Sequence, residues 1–207
     1  GRSYDVVIVG AGPAGLFTAY ELITKNKKLK VAVLEKGSCV KNRICPMNKK
    51  GIPCQNCNPC AVLAGYGGAG TFSDGKLNFI PKLGKSDLTK YMLESEANKL
   101  IDETEEIFTK FKMDAEVYPS NMDEANEIKK EVAKAGAKLL LIKQKHLGSD
   151  HLPEYIMGIE KYLEKNSVVL KDKTDVIDIE TIDESNHEIK YLEKGKSGKS
   201  VGEGFYK

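Results

Sequence analysis

The first forty residues place two short apolar runs on either side of a glycine-rich turn. Val6 to Val9 is apolar and β-branched without alternation, which is typical of a strand buried in a parallel sheet. The turn, residues 10–15, opens a predicted helix. A second run, Lys30 to Leu34, predicts the next strand and ends at Glu35. The pattern therefore predicts a βαβ unit whose two strands are parallel.

Further along the chain, helical and strand patterns alternate, and polar caps mark the predicted helix starts. Together they predict an inserted α-β-α-β subdomain at residues 83–145, followed by a helix and part of a β-meander. The helices are predicted at Ser86–Phe111, with Ser86 or Asp87 as cap, from Asn121 to Gly136, with Asn121 and Glu124 as a capping-box-like start, and from Asp150 and Pro153 to about Lys165. The strands are predicted at Ala115–Tyr118, Lys138–Ile142, Val168–Leu170, Thr174–Ile182 and His187–Leu192, before a polar, turn-rich tail from Lys194.

Residues 37–82 show no clear helical or strand pattern, and a loop of this length is typically a binding segment or disordered. The run Gly67-Gly68-Ala69-Gly70 favours binding, because consecutive N–H groups in a glycine-rich turn can cradle an anion. Tyr66 and Phe72 among the glycines argue against a flexible linker.

The turn after the first strand has the spacing G-x-G-x-x-G. Gly10 permits a tight turn, Gly12 lets a pyrophosphate approach the backbone, and Gly15 lets the helix lie close to the strand. Phosphates are expected at the helix N-terminus, beside Pro13 and Ala14, where N–H groups and the helix dipole favour negative charge. Glu35 is placed to accept hydrogen bonds from a ribose 2′-hydroxyl, which disfavours NADP in this site. The sequence thus predicts a Rossmann-like dinucleotide-binding domain of the α/β class.

Composition narrows the remaining classes of function. The net charge is +2, with 32 basic and 30 acidic residues, which gives no indication of nucleic-acid binding. No apolar run approaches the roughly 20 residues that span a bilayer. The first strand begins within a few residues of Gly1, so no signal peptide is expected. These observations predict a soluble, cytoplasmic protein whose partners include neither nucleic acid nor a membrane.

All five cysteines lie between residues 39 and 60. The spacing of Cys45, Cys54, Cys57 and Cys60 resembles that of zinc or iron–sulfur ligands. The two C-x-x-C pairs also suit thiol–disulfide exchange with a reduced cofactor. The third interpretation is a set of reduced thiols in an exposed loop. Spacing alone leaves all three open.

Four stretches are similar to a known family: GAGPAGLFTAYEL (10–22), VLEKG (33–37), GYGGAGTFSDGKL (65–77) and KHLGSDHL (145–152). The sequence resembles the FAD-dependent dehydrogenases, a branch of the flavoproteins with two dinucleotide-binding domains. The first two stretches occur in many flavoproteins, and the last two are much more specific to this family.

The resemblance implies FAD as the cofactor and hydride transfer through the flavin to or from an unidentified substrate, with NAD(P)H as a candidate electron donor. The residues alone leave FAD and NAD open, and a non-catalytic metal-thiolate or interaction fragment is a third alternative. Asp74, Lys76 and His146 are candidate acid–base residues. The cofactor contacts that the motifs and the resemblance imply are Gly10, Gly12, Pro13, Ala14, Gly15, Glu35, Lys36, Gly67, Gly68, Ala69, Gly70, Ser73, Asp74, Gly75 and Lys76.

On this interpretation residues 1–82 form the first part of the FAD-binding domain, and residues 146–207 return to it. In the family, later strands close the sheet beside the first strand, and a late Gly-Asp pair holds the ribityl chain. Neither is found in these residues. We therefore expect residues 1–207 to hold FAD weakly and to self-associate through an unpaired sheet edge.

Overall fold

The computed structural model describes residues 3–148, 150–194 and 200–206. The chain divides into two compact units: one contains the chain up to Phe72 and again from Ile156, and the other is Ser73–Tyr155. The helices are α1 (Pro13–Lys25), α2 (Pro46–Lys50), α3 (Glu94–Lys110), α4 (Met122–Lys134) and α5 (Leu152–Lys165). The strands are β1 (Val6–Val9), β2 (Val31–Leu34), β3 (Lys76–Phe79), β4 (Lys82–Leu83), β5 (Ser86–Asp87), β6 (Val117–Tyr118), β7 (Lys143–His146), β8 (Val169–Lys171), β9 (Thr174–Thr181), β10 (His187–Lys194) and β11 (Ser200–Tyr206).

The first unit contains a parallel sheet in the order β1-β2-β8. Val6 pairs with Val31 and Val9 with Leu34, while Ala32 pairs with Val169. All four β2 side chains are buried, as expected for the central strand of a parallel sheet. The prediction that β1 is equally buried is wrong. Its first three residues are half-buried and Val9 is 53% exposed, because β1 pairs on one side only within the described residues.

A meander of three antiparallel strands, in the order β11-β10-β9, completes the first unit. Ile189 and Tyr191 on β10 form a buried cluster with Leu34 of β2, and Val7 packs against it. The meander therefore covers part of the parallel sheet. The tail prediction was wrong in part, since Ser200–Tyr206 forms β11, and residues 195–199 lie outside the described residues.

The second unit contains an antiparallel sheet in the order β3-β7-β6, the helices α3 and α4, and the short hairpin β4-β5. The ammonium of Lys145 on β7 is nearly buried and lies 3.0 Å from a carboxylate oxygen of Glu105 on α3. It lies 2.8 Å from a carboxylate oxygen of Asp114, just beyond the end of that helix. These ion pairs join α3 to the sheet.

Several predicted elements of the second unit are confirmed, and others are wrong. Asn121 caps α4 by accepting from two backbone N–H groups, as predicted. The long helix begins at Glu94 instead of Ser86, because Ser86 and Asp87 pair in the β4-β5 hairpin. The strand predicted at Lys138–Ile142 lies at Lys143–His146. The prediction that residues 37–82 lack regular elements is also wrong, since they contain α2 and β3.

Candidate functional site

The turn between β1 and α1 has the geometry that its three glycines predict. Gly10 has a φ of +98°, in the region that favours glycine. A Cβ added to Gly15 would lie 1.9 Å from the Gly10 carbonyl oxygen, so the helix approaches the strand too closely for any side chain. A Cβ added to Gly12 would meet no atom within 4 Å. The backbone at Gly12 is therefore open on the side where a ligand could approach.

The N-terminus of α1 faces the same opening. Pro13 occupies the first turn, and no side chain caps the helix. Uncapped N–H groups and the positive end of the helix dipole favour a phosphate at this position. Pro13 and Ala14 are both exposed, so nothing in their own side chains closes the approach.

Glu35 has a role that the sequence did not predict. Its carboxylate is buried and accepts hydrogen bonds from the backbone N–H groups of Ala11 (2.8 Å), Gly37 (2.8 Å) and Gly65 (3.0 Å). One side chain therefore joins the glycine turn, the end of β2 and the second glycine-rich loop. Contact between Glu35 and a ribose stays a prediction, as does a contact from its exposed neighbour Lys36.

The second glycine-rich loop lies beside the first turn within the same unit. The N–H of Gly67 donates to the Ala11 carbonyl at 2.8 Å, and a Cβ on Gly68 would lie 3.4 Å from Gly12 Cα. A Cβ on Gly67 would lie 2.2 Å from Thr71 Oγ1, so close packing requires this glycine. Ala69 and Gly70 are exposed. The structure thus brings residues 65–70 together with the predicted phosphate-binding turn.

Arg43 is a second residue that the sequence did not identify. It is buried, and it donates hydrogen bonds to five acceptors in the segment 61–71. Desolvation lowers the pKa of its guanidinium, and the nearby Glu35 carboxylate counteracts this effect. No local pattern around Arg43 identifies these partners, which lie 18 to 28 residues away in the sequence.

The two most family-specific stretches pair with each other in the second unit. Lys76 pairs with His146 in the β3-β7 ladder, and the Leu147 N–H donates to the Gly75 carbonyl at 2.8 Å. The His146 Nε2 lies 3.0 Å from the Asp74 carbonyl oxygen. A hydrogen bond from the Lys76 ammonium is the main cause that lowers the pKa of the exposed Asp74 carboxyl. Asp74, Lys76 and His146 therefore lie together, next to exposed Ser73, while their catalytic role stays a prediction.

The cysteine segment shows no assembled metal site. Cys54 and Cys57 are exposed, Cys45 and Cys60 are half-buried, and all are free thiols. Within the described part of the chain no group of three or more His, Cys, Asp or Glu side chains is placed to hold a metal. Metal binding and redox exchange at these cysteines stay predictions.

Among the described residues, no helix combines the length and the apolarity that a membrane span requires.

The parallel sheet, the glycine turn and the meander on the sheet define the Rossmann-like α/β fold of the FAD-binding flavoproteins, as the sequence predicted. Residues 5–41, which contain β1, the turn, α1 and β2, match the family model described as FAD dependent oxidoreductase. No curated protein sequence matches the chain.

Solved structures with the same fold include glycine oxidase from Geobacillus kaustophilus, which is 17% identical with a TM-score of 0.50 over 96% of this chain and 53% of that one. The 3-ketosteroid-delta4-(5alpha)-dehydrogenase from Rhodococcus jostii RHA1 is 14% identical, with a TM-score of 0.52 over 100% of this chain and 44% of that one. Mycobacterium smegmatis Sdh1, in complex with UQ1, is 13% identical, with a TM-score of 0.53 over 100% of this chain and 32% of that one. The chain thus spans about half the length of the first of these structures and less of the others.

Proposed function

We propose that this chain binds FAD through the β1-α1-β2 unit and belongs to an FAD-dependent oxidoreductase that acts on a small-molecule substrate. The observation that most supports the proposal is the contrast between two glycines of one turn. The space beside Gly15 is occupied by the Gly10 carbonyl, whereas the space beside Gly12 is open at an uncapped helix N-terminus. The family match to residues 5–41 covers this same segment.

The residues of the first unit fit the chemistry of a dinucleotide. Gly10, Gly12 and Gly15 would hold the pyrophosphate against the N-terminus of α1, where the N–H groups of the first turn can donate to phosphate oxygens. Glu35 Oε2 accepts from Ala11, and it retains lone-pair capacity for a ribose hydroxyl. Bound FAD would supply hydride transfer, which side chains alone do not supply.

The second glycine-rich loop would form another wall of the cofactor site. Its hydrogen bond to Ala11 and the short approach of Gly68 to Gly12 support this role. On the family resemblance, Ser73, Asp74, Gly75 and Lys76 remain proposed flavin contacts. The cytoplasmic location that the sequence predicts is part of the proposal.

The test compares three dinucleotides on one protein sample. We expect FAD to give a saturable one-site titration with quenching of flavin fluorescence, NAD to bind more weakly and NADP not to bind, because Glu35 repels a 2′-phosphate. Tighter binding of NAD than of FAD would replace the proposal with an NAD-binding dehydrogenase domain. Elemental analysis of the same sample, purified anaerobically, decides whether the cysteines hold zinc or iron.

A further inference from the structure

We propose that Arg43 is the positioning residue that fixes the glycine-rich loop, residues 65–71, in the shape that the FAD pyrophosphate requires. The inference rests on the proposed function and concerns a side chain that lies outside both glycine motifs. Arg43 follows a single 3₁₀ turn, Val40–Asn42, and lies between Cys39 and Cys45.

The guanidinium of Arg43 binds both ends of one segment of chain. Its Nε donates to the Ala61 carbonyl (2.9 Å), and Nη2 donates to the Val62 carbonyl (2.7 Å). Its Nη1 donates to the carbonyls of Tyr66 (2.8 Å) and Gly68 (2.8 Å) and to Thr71 Oγ1 (3.1 Å). Four of the five acceptors are backbone carbonyls, so the contacts define backbone shape.

The Arg43 side chain is buried and closely packed. The side chain is 6% exposed, and the guanidinium carbon lies 4.7 Å from the centre of the Phe72 ring. A Cβ on Gly65 would lie 2.5 Å from Arg43 Cδ and 2.9 Å from Nε, so the loop needs a glycine where the arginine passes. A buried cation is costly unless its donors are satisfied, and here the segment 61–71 accepts from all three guanidinium nitrogens.

The loop that Arg43 holds is attached to the phosphate-binding turn by two further contacts. Gly65 donates to Glu35 at 3.0 Å, and Gly67 donates to Ala11 at 2.8 Å. Arg43 is the contact that fixes the loop beyond Gly67, because it binds the Gly68 carbonyl and Thr71. The exposed residues Ala69 and Gly70 lie between these two anchors.

Lysine cannot replace arginine in this role. An ammonium has three donors on a flexible stem, whereas the planar guanidinium has five donors in a fixed fork. An Arg43→Lys protein keeps the positive charge but cannot make all of the hydrogen bonds of the guanidinium. Thr71→Val removes a single acceptor of Arg43 and keeps the shape of the side chain, so it is the milder variant.

The first experiment needs no ligand. Hydrogen exchange of the amides of residues 66–71 should become at least tenfold faster in Arg43→Lys, and should rise less in Thr71→Val, while β2 keeps its protection. Lys49→Ala is the matched control, because Lys49 lines the same cavity of about 280 Å³ as Arg43. Unchanged exchange of residues 66–71 in both variants would overturn the proposal. So would a loss of protection in β2 of Arg43→Lys as large as that in residues 66–71.

The second experiment separates positioning from stability. Calorimetric titration with FAD and with AMP should show at least a tenfold rise in the Kd of FAD in Arg43→Lys, and less than a twofold change for AMP, which lacks the pyrophosphate. Equal weakening of both ligands, or of neither, would contradict a positioning role. A wild-type protein that binds no FAD would refute the proposed function, and the exchange experiment alone would then show whether Arg43 holds the loop.

Discussion

At the residue scale, the site depends on glycines that differ in what surrounds them. Close packing requires glycine at two positions. A Cβ on Gly15 would lie 1.9 Å from the Gly10 oxygen, and a Cβ on Gly67 would lie 2.2 Å from Thr71 Oγ1. Gly12 has no such neighbour, so close packing does not explain its glycine. The spacing of the glycines predicted the tight turn at Gly10 and the close helix–strand contact at Gly15, while a pyrophosphate at Gly12 stays a prediction. The sequence could not predict the buried contacts of Glu35 and Arg43, because their partners are distant in sequence and meet only after folding.

Substitution of these glycines by alanine should separate folding from binding. Gly15→Ala should lower the free energy of unfolding by about 1–3 kcal/mol, because the new methyl group overlaps the Gly10 carbonyl. Gly12→Ala should leave it within about 0.5 kcal/mol, as for a substitution without new contacts. Urea unfolding followed by circular dichroism measures both. Equal destabilisation in the two variants would show that the turn is not packed as described.

Glu35→Gln should destabilise the first unit even without a ligand. An amide keeps one acceptor oxygen but turns its NH₂ group toward a backbone N–H, which leaves a buried donor unsatisfied. The expected loss is about 1–3 kcal/mol in the free energy of unfolding. Lys36→Gln, at the exposed neighbouring position, is the control and should change little. A Glu35→Gln protein as stable as wild type would contradict the three-way contact.

At the scale of elements, apolar patterns located the strands that carry apolar residues and missed a strand that is polar. The β1-α1-β2 unit and the strands β8, β9 and β10 were found within a few residues of their predicted positions. The apolar stretch before Lys143 was mistaken for a strand, whereas β7 itself is polar and is held by its ladder with β3 and by ion pairs to α3. A strand of this kind depends on tertiary contacts that hydrophobic periodicity does not reveal.

The ion pairs between α3 and β7 predict how the second unit responds to pH. Partial burial alone would raise the pKa of Glu105, but hydrogen bonds and charge from Lys143 and Lys145 hold it below its ordinary value of 4.5. Its contribution to stability is therefore present above that value and lost as the pH falls through the lower, folded pKa. Burial alone would lower the pKa of Lys145, but Asp114 and Glu105 raise it above 10.5. That contribution is complete below 10.5 and lost only at higher pH.

Lys145→Met should remove much of this dependence. At neutral pH the variant should unfold at a lower urea concentration than wild type, because Glu105 and Asp114 lose a partner. Between pH 7 and pH 3 its urea midpoint should fall less steeply than that of wild type. Lys130→Met on α4, whose ion pair with Glu127 is exposed, is the control. Parallel pH profiles for wild type and Lys145→Met would contradict the account.

At the scale of the whole molecule, the chain consists of a unit with a parallel sheet and a meander and a second unit with its own antiparallel sheet. In the first unit β1 pairs with β2, and no described strand pairs with its other edge. An open strand edge favours association with other chains. The self-association expected from the sequence therefore remains a prediction with a defined location.

Charge at the β1 edge should reduce this association. The sedimentation coefficient of the wild-type protein should rise with protein concentration, and Val9→Lys should make it nearly constant, because charged side chains disfavour edge pairing. Ile179→Lys is the control, since Ile179 is similarly exposed on β9. A concentration-dependent rise that is equal in all three proteins would place the contact elsewhere.

The measurement that tests the central claim most directly is a calorimetric titration of wild-type protein and Gly12→Val with FAD, with urea unfolding of both. The account predicts one FAD site per wild-type chain. For Gly12→Val it predicts loss of binding at nearly unchanged stability, because the added side chain occupies the open approach to the helix N-terminus and its Cβ has no protein atom within 4 Å. Equal FAD affinity in the two proteins, or no FAD binding by the wild type, would contradict it.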